Sequence, residues 1–184
     1  MPAWAWILII VAIVIVVALI AWSAGRGARS KRLRGSFGPE YDRTVQASGK
    51  REAEADLEAR RKRREQLDIR PLDPATRQRY AQAWTQTQSR FVDEPPQAVR
   101  EADVLVTQVM RDRGYPTENF DQRSADVSVD HPVVVQSYRA AHNISLANDQ
   151  GQATTEDLRQ AMVHYRALFQ DLLGDDNTGM REAR

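Results

Sequence analysis

The chain contains no cysteine and only three histidines. It therefore has no disulfide, no thiolate metal ligand and no cysteine nucleophile, and the absence agrees with a reducing compartment. The sequence also lacks a P-loop, a glycine-rich dinucleotide-binding motif and a nucleophile elbow. We accordingly predict no cofactor, no metal and no catalytic residues, which leaves open only an active site of an unfamiliar kind.

The histidines are not arranged as a ligand set. His142 and His164 fall on separate predicted helices, and His131 falls in a predicted loop. A metal or haem site between two helices is conceivable, but no further ligand stands at a suitable spacing. We favour histidines that are partly buried and hydrogen-bonded to neighbours. Asp130 beside His131 is interpreted as the cap of a helix that Pro132 opens.

Residues 3–22, AWAWILIIVAIVIVVALIAW, contain no charged residue, no glycine and no proline. A helix of this length spans roughly 30 Å, the thickness of a bilayer's hydrocarbon core. Trp4, Trp6 and Trp22 lie near its ends, where indole rings favour the membrane interface. A cleaved signal peptide would have basic residues before a shorter apolar run. The segment that begins at Ala3 is therefore predicted to be an uncleaved transmembrane helix.

The basic residues that flank this run all follow it: Arg26, Arg29, Lys31, Arg32 and Arg34. The positive-inside rule then places the N-terminus outside and residues 23–184 in the cytoplasm. The prediction is a single-pass protein of the plasma membrane. The same cations could contact anionic lipid headgroups, or they could serve only to set the topology; both interpretations stay open.

Charge is divided along the chain. Residues 23–70 carry a net charge of +6, and residues 71–184 carry −5. A second basic cluster, Arg60, Arg61, Lys62, Arg63 and Arg64, could contact lipid, an acidic protein partner or RNA. Alternatively the cluster forms one solvated helix face, on which Asp56 can pair with Arg60 and Glu58 with Lys62. No aromatic residue lies nearby to stack on bases, which argues against nucleic acid.

The periodicity of apolar residues predicts an all-α fold. We divide the chain into a transmembrane anchor (1–22), a basic juxtamembrane linker (23–36), an exposed charged helical arm (37–70), an antiparallel helical bundle (71–173) and a polar tail (174–184). The arm is predicted to be exposed, with one side of a helical hairpin as the alternative, because residues 50–67 offer few apolar side chains. Helix starts are predicted at Pro39, at Asp73, at Asn119 or Asp121, and at Thr154 or Thr155, where Asp157 can close a capping box.

Two apolar stripes define the predicted core. One stripe comprises Ala98, Ala102, Leu105, Val106, Val109 and Met110. The other comprises Leu158, Ala161, Met162, Tyr165, Leu168, Phe169 and Leu172. Tyr80, Trp84, Phe91, Tyr138 and Tyr165 are interpreted as core residues, with an aromatic-lined ligand pocket as the alternative.

Several segments carry a resemblance to known proteins, among them FGPEYDRTV (37–45), RYAQAWTQTQSRFVDEP (79–95), DQRSADVSVDHP (121–132) and TTEDLRQAMVHYRALF (154–169). The sequence resembles a group of uncharacterised bacterial single-pass membrane proteins that have a cytoplasmic α-helical domain. The resemblance implies the bacterial inner membrane. It implies no activity, and it assigns no site residues.

The function expected from these features is that of a membrane-anchored, non-catalytic interaction module. Its partners would be the lipid bilayer, through residues 3–22, anionic headgroups, through the basic residues, and a protein of unknown identity. The alternative is a domain that binds a small ligand in the aromatic-lined pocket.

Overall fold

A computed structural model describes residues 27–174 of the chain. This part consists of eight helices and contains no strand: α1 (27–37), α2 (Pro39–Ser48), α3 (Lys50–Arg64), α4 (Pro74–Arg90), α5 (Pro95–Arg113), α6 (Phe120–Asp130), α7 (Val135–Asp149) and α8 (Thr155–Gly174). The all-α prediction is confirmed. No helix within residues 27–174 is long and apolar enough to cross a membrane. The predicted span over residues 3–22 lies outside the described residues, as do residues 175–184 of the predicted tail.

Local capping signals set several helix boundaries. The carboxylate of Asp73 accepts a hydrogen bond from the backbone N–H of Thr76, at 2.9 Å. Asn119 caps α6 in the same way. Thr154 and Asp157 form the reciprocal capping box before α8, because each side chain accepts from the other residue's backbone N–H. These predicted helix starts are confirmed.

Helices α5, α7 and α8 form the centre of the bundle. The most extensive helix–helix contacts join α8 to α7 and to α5, while α4 packs on α5. Every residue of the two predicted apolar stripes is buried. The indole of Trp84 on α4 stacks on Phe169 of α8, with ring centroids 4.7 Å apart. Periodic apolar residues thus fold the segment 74–174 as predicted.

The charged arm predicted over residues 37–70 is not exposed, and that prediction is wrong. Helices α1, α2 and α3 pack together around Leu33, Phe37, Tyr41 and Leu57, and α3 lies against α6 of the bundle. The inward face of α3 consists of Ala53, Leu57 and Arg60. Each helix contributes only one or two apolar side chains, so no single helix shows a strong apolar stripe.

The juxtamembrane linker predicted over residues 23–36 also needs correction. Residues 27–36 belong to α1, which continues to residue 37. Its inward face buries Leu33 and Phe37, which are one helical turn apart. The described part of this segment is therefore a packed helix, although four of its ten residues are basic.

The end of α6 also differs from the prediction. Asp130 is the last residue of α6, whereas α7 begins only at Val135 and shows no side-chain cap. The carboxylate of Asp130 instead accepts a hydrogen bond from the Tyr115 hydroxyl, at 2.6 Å. This contact links α6 to the segment that follows α5.

The connection from α3 to α4 crosses the C-terminal end of α5 at Gly114. The N–H of Arg70 donates to the carbonyl of Arg113, at 2.9 Å. Gly114 adopts a left-handed conformation with φ of 98°, and a Cβ built there would lie 2.2 Å from the carbonyl oxygen of Asp68. Glycine is required here both for the conformation and for the close backbone approach.

We predict that Gly114→Ala destabilises the fold by about 2 kcal/mol or more, because it combines left-handed strain with a backbone clash. Urea unfolding of the full chain in detergent micelles, followed by circular dichroism, measures the loss. Gly151→Ala is the matched control, since Gly151 has φ of 69° but nothing within 4 Å of a built Cβ. An equal loss in the two variants would contradict the role of the Asp68 contact.

Candidate functional site

The carboxylate of Glu40 on α2 is ionisable yet has no solvent-exposed surface. Arg60 of α3 donates to it at 2.8 Å. Arg139 of α7 donates to both of its oxygens, at 2.7 and 2.9 Å, and Gln136 donates at 2.7 Å. Arg43, one turn along α2, adds a contact at 3.1 Å. We call this group of five residues the Glu40 hub; it joins α2, α3 and α7.

The hub keeps its carboxylate ionised. Burial by itself would raise the pKa of Glu40, but the hydrogen bonds and charges of Arg139 and Arg43 outweigh burial and lower the pKa from 4.5 to about 2. A buried carboxylate of this kind is stable only while its cationic donors stay in place. The hub therefore holds α2 and α3 against α7 of the bundle.

Two further ion pairs connect α3 to α6. Arg63 donates to the buried carboxylate of Asp126 at 2.8 Å, and Gln122 donates to the same group. Arg64 donates to Asp130, which also accepts from the Tyr115 hydroxyl. Together with the Glu40 hub, these contacts fasten α3 along the bundle.

The five residues of the basic cluster 60–64, which are predicted to contact a partner or lipid, therefore lie in different environments. Arg60, Arg63 and Arg64 point into the interface with the bundle. Arg61 pairs with Glu58 at 2.6 Å and also with Glu65, both within or next to α3. Lys62 is exposed. An external contact by this cluster stays a prediction, and Lys62 is the member best placed to make one.

The five predicted headgroup contacts lie on or before α1. Arg26 lies outside the described residues. The Arg32 guanidinium lies 3.9 Å from Glu58, and that of Arg34 lies 2.6 Å from Asp42. Arg29 donates to the backbone carbonyl of Glu54 at 3.5 Å, and Lys31 is exposed. Three of these cations are therefore partly engaged by neighbouring helices, and their contact with lipid stays a prediction.

Of the predicted aromatic residues, Trp84, Tyr138 and Tyr165 are buried in the core of the bundle, whereas Tyr80 and Phe91 are partly buried against it. Tyr138 and Tyr165 are fully buried, with their rings 6.4 Å apart in an edge-to-face arrangement. Arg123 donates to the Tyr138 hydroxyl at 2.6 Å, and the Tyr165 hydroxyl donates to Asp103 at 2.8 Å. Burial raises the pKa of both tyrosines above the ordinary value, so both remain protonated. Their rings and hydroxyls contact the protein itself, which favours the core interpretation over a ligand pocket.

The histidines also have neighbours within the fold. Nδ1 of the buried His131 lies 2.7 Å from a carboxylate oxygen of Asp171. His142 on α7 stacks on Phe120, with centroids 3.6 Å apart, and burial lowers its pKa. His164 lies on α8, partly buried. Among residues 27–174, no group of three or more histidine, aspartate and glutamate residues could hold a metal ion.

A shallow groove runs between α4 and α5. Its volume is about 380 Å³, and its walls include Ala83, Thr87 and Leu105 as well as the pair formed by Arg90 and Glu101. Val104, more than half exposed at 54%, also lines this groove. The bundle thus has an accessible surface of mixed polarity on the side where α4 packs on α5.

A second cleft lies between α1 and α3. It has a volume of about 500 Å³ and is lined by Arg29, Ser30, Lys50, Arg51, Glu54 and Ala55. The carboxylate of Glu54 accepts hydrogen bonds from Ser30 and, at 2.9 Å, from Tyr41. The cleft therefore combines three cations with one carboxylate that is held by neighbouring side chains.

No protein-family model matches the chain, and neither a curated protein nor a solved structure matches it. The comparisons therefore assign no family, and the resemblance to bacterial single-pass membrane proteins rests on the sequence segments alone.

We predict that Glu40→Gln lowers the free energy of unfolding by about 3 kcal/mol at pH 7, because the largely buried Arg139 would lose its carboxylate partner and Arg60 would keep only the carboxylate of Asp56. Urea unfolding of the full chain in detergent micelles measures this loss. Glu156→Gln is the control: the pKa of Glu156 is also lowered to about 2, through its hydrogen bond from Arg159, but the pair is exposed to solvent. A loss at Glu156 as large as that at Glu40 would show that burial is not what makes the hub important.

The difference between the wild type and Glu40→Gln should also depend on pH. The pKa of Glu40 is lower in the folded chain than its ordinary value of 4.5, so the unfolded chain binds more protons between pH 4.5 and about 2. The stabilisation from its charge is therefore complete above about pH 4.5 and is lost as the pH falls towards 2. Unfolding measured at pH 7, 4.5, 3.5 and 2.5 tests this expectation. A difference that stays constant over this range would contradict it.

Proposed function

We propose that the chain is a membrane-anchored, non-catalytic interaction module. Residues 3–22 anchor it in the bacterial inner membrane with the N-terminus outside. Residues 27–174 form a helical domain in the cytoplasm that presents its bundle to a protein partner. The observation that carries this proposal is the Glu40 hub, because it joins the basic N-terminal helices and the acidic bundle.

A flexible tether would leave the bundle free to move relative to the membrane. Here α1 packs with α2 and α3, and α3 is fastened to α6 and α7 by buried ion pairs. The bundle is consequently held in one arrangement relative to the first helix after the proposed anchor. A fixed arrangement favours a domain that presents one surface to a partner over a domain that is attached by a flexible tether.

The outer surface of the bundle offers places where a partner could bind. Val104 on α5, Leu146 on α7 and Val163 on α8 are about half exposed. These apolar side chains lie on different helices, and Val104 lines the groove between α4 and α5. Of the aromatic residues of the alternative proposal, a ligand pocket, Trp84, Tyr138 and Tyr165 are buried in the core, and Tyr80 and Phe91 pack against it. No specific contact therefore favours small-ligand binding.

Affinity purification of the full chain from detergent-solubilised membranes should recover a protein partner reproducibly. Val104→Asp and Leu146→Asp each place a charge on an exposed apolar position of a different helix. The amount of partner recovered should fall at least about tenfold for the variant whose substituted position the partner covers. An interface excludes an unpaired charge. The other variant serves as its matched control.

A second variant tests the anchor separately. Ala12→Arg combined with Ile13→Arg places two charges at the centre of the apolar run, where each costs roughly 3 kcal/mol. This variant should leave the membrane fraction after alkaline washing, whereas the wild type should stay in it. A wild-type chain that washes off would overturn the anchor. A retained chain that recovers no reproducible partner would overturn the interaction module.

A further inference from the structure

Helices α1 and α3 run in the same direction, with α2 returning between them. Residues 29 and 30 of α1 contact Glu54 of α3, and Arg32, one turn later, lies 3.9 Å from Glu58. The contacts move towards the C-terminus of both helices together, so the two helices run parallel. The start of α3 therefore lies at the same end of the described domain as residue 27, the first described residue.

This arrangement brings together cations that are distant in sequence. Arg29 donates to the Glu54 carbonyl at 3.5 Å, and Lys50 Nζ lies 3.8 Å from the Glu54 carboxylate. The side chain of Lys50 is 65% exposed, and the neighbouring Arg51 is exposed as well. Arg29, Lys50 and Arg51 thus line the cleft of about 500 Å³ between α1 and α3. We call it the α1–α3 cleft.

The α1–α3 cleft lies at the end of the domain that leads back to the proposed anchor. Residues 23–27, even fully extended, span at most roughly 17 Å. Residue 27 is therefore within reach of the headgroup layer of the membrane that holds residues 3–22. This step rests on the proposed function, namely that residues 3–22 span the membrane.

The charge of the cleft suits a phosphate group. Three cations face the single carboxylate of Glu54, which already accepts hydrogen bonds from Ser30 and Tyr41. The residues that line the cleft therefore carry a net charge of +2. Outside the lining, Arg29 also interacts with the carboxylate of Glu58. It contains no aromatic residue on which a base could stack, so its lining does not favour a nucleic acid.

We propose that Arg29, Lys50 and Arg51 form a binding site for the phosphate of an anionic phospholipid headgroup. Lys50 and Arg51 extend the lipid contact beyond the basic residues that directly follow the apolar run. The bound headgroup lies between α1 and α3 and orients the domain on the membrane surface. Each basic residue near an anionic leaflet contributes about 1 kcal/mol, equivalent to about fivefold in affinity.

The test uses the full chain in detergent micelles, titrated with phosphatidylglycerol or phosphatidylcholine, with bound lipid counted by native mass spectrometry. The wild type should retain phosphatidylglycerol in preference to phosphatidylcholine. Lys50→Gln combined with Arg51→Gln should weaken phosphatidylglycerol binding about thirtyfold, as two charges are removed. Arg70→Gln combined with Arg79→Gln removes the same charge from exposed positions outside the cleft and should leave this binding nearly unchanged.

Equal weakening by the two double variants would overturn the site, because it would show attraction to the overall charge alone. No weakening by either, or no preference for phosphatidylglycerol, would also overturn it. Displacement of the lipid by millimolar inorganic phosphate would indicate a site for free phosphate instead. Alkaline washing of wild-type membranes distinguishes failure of the headgroup site from failure of the anchor. If the chain stays in the membrane but shows no lipid preference, the anchor stands and only the headgroup site is overturned.

Discussion

The attachment of α2 and α3 to the bundle depends on the buried carboxylate of Glu40. Glu40 has no contact with solvent, and removing a charged carboxylate from water is costly unless donors surround it. Here the donors come from three helices: Arg43 of α2, Arg60 of α3, and Gln136 and Arg139 of α7. Because a guanidinium is planar and always charged, Arg139 can hold both carboxylate oxygens at once. The helices that supply these donors must therefore remain close together.

This requirement explains how helices with few apolar residues become part of the fold. Helix α3 buries little more than Ala53 and Leu57, yet it lies along the bundle. Its arginines contact carboxylates of α2 and α6, and their aliphatic stems can cover apolar surface. The basic and acidic halves of the sequence are consequently joined by ion pairs. The proposed function relies on this connection, because it relates the orientation of the bundle to that of α1.

Much of the bundle could be predicted from sequence, because its signals are local. The stripe from Leu158 to Leu172 repeats with the period of a helix, and all its members are buried. The Thr154–Asp157 capping box is also a short-range pattern. The candidate sites were harder to predict. Glu40 stands in the first turn of a helix, where an acidic residue is ordinary, and only Arg139, far along the chain, gives it a different role.

The sequence by itself determined the uncharged run of residues 3–22, the order of basic and acidic segments, and the positions of most helices. These properties depend on composition or on neighbours within a few turns. Only the tertiary structure decided which charges are buried, which are paired and which share a surface. Arg60 became a buried partner of Glu40, whereas Lys50 came to lie beside Arg29. The physical reason is that an ion pair depends on distance in space, and helix packing sets that distance between residues far apart in the chain.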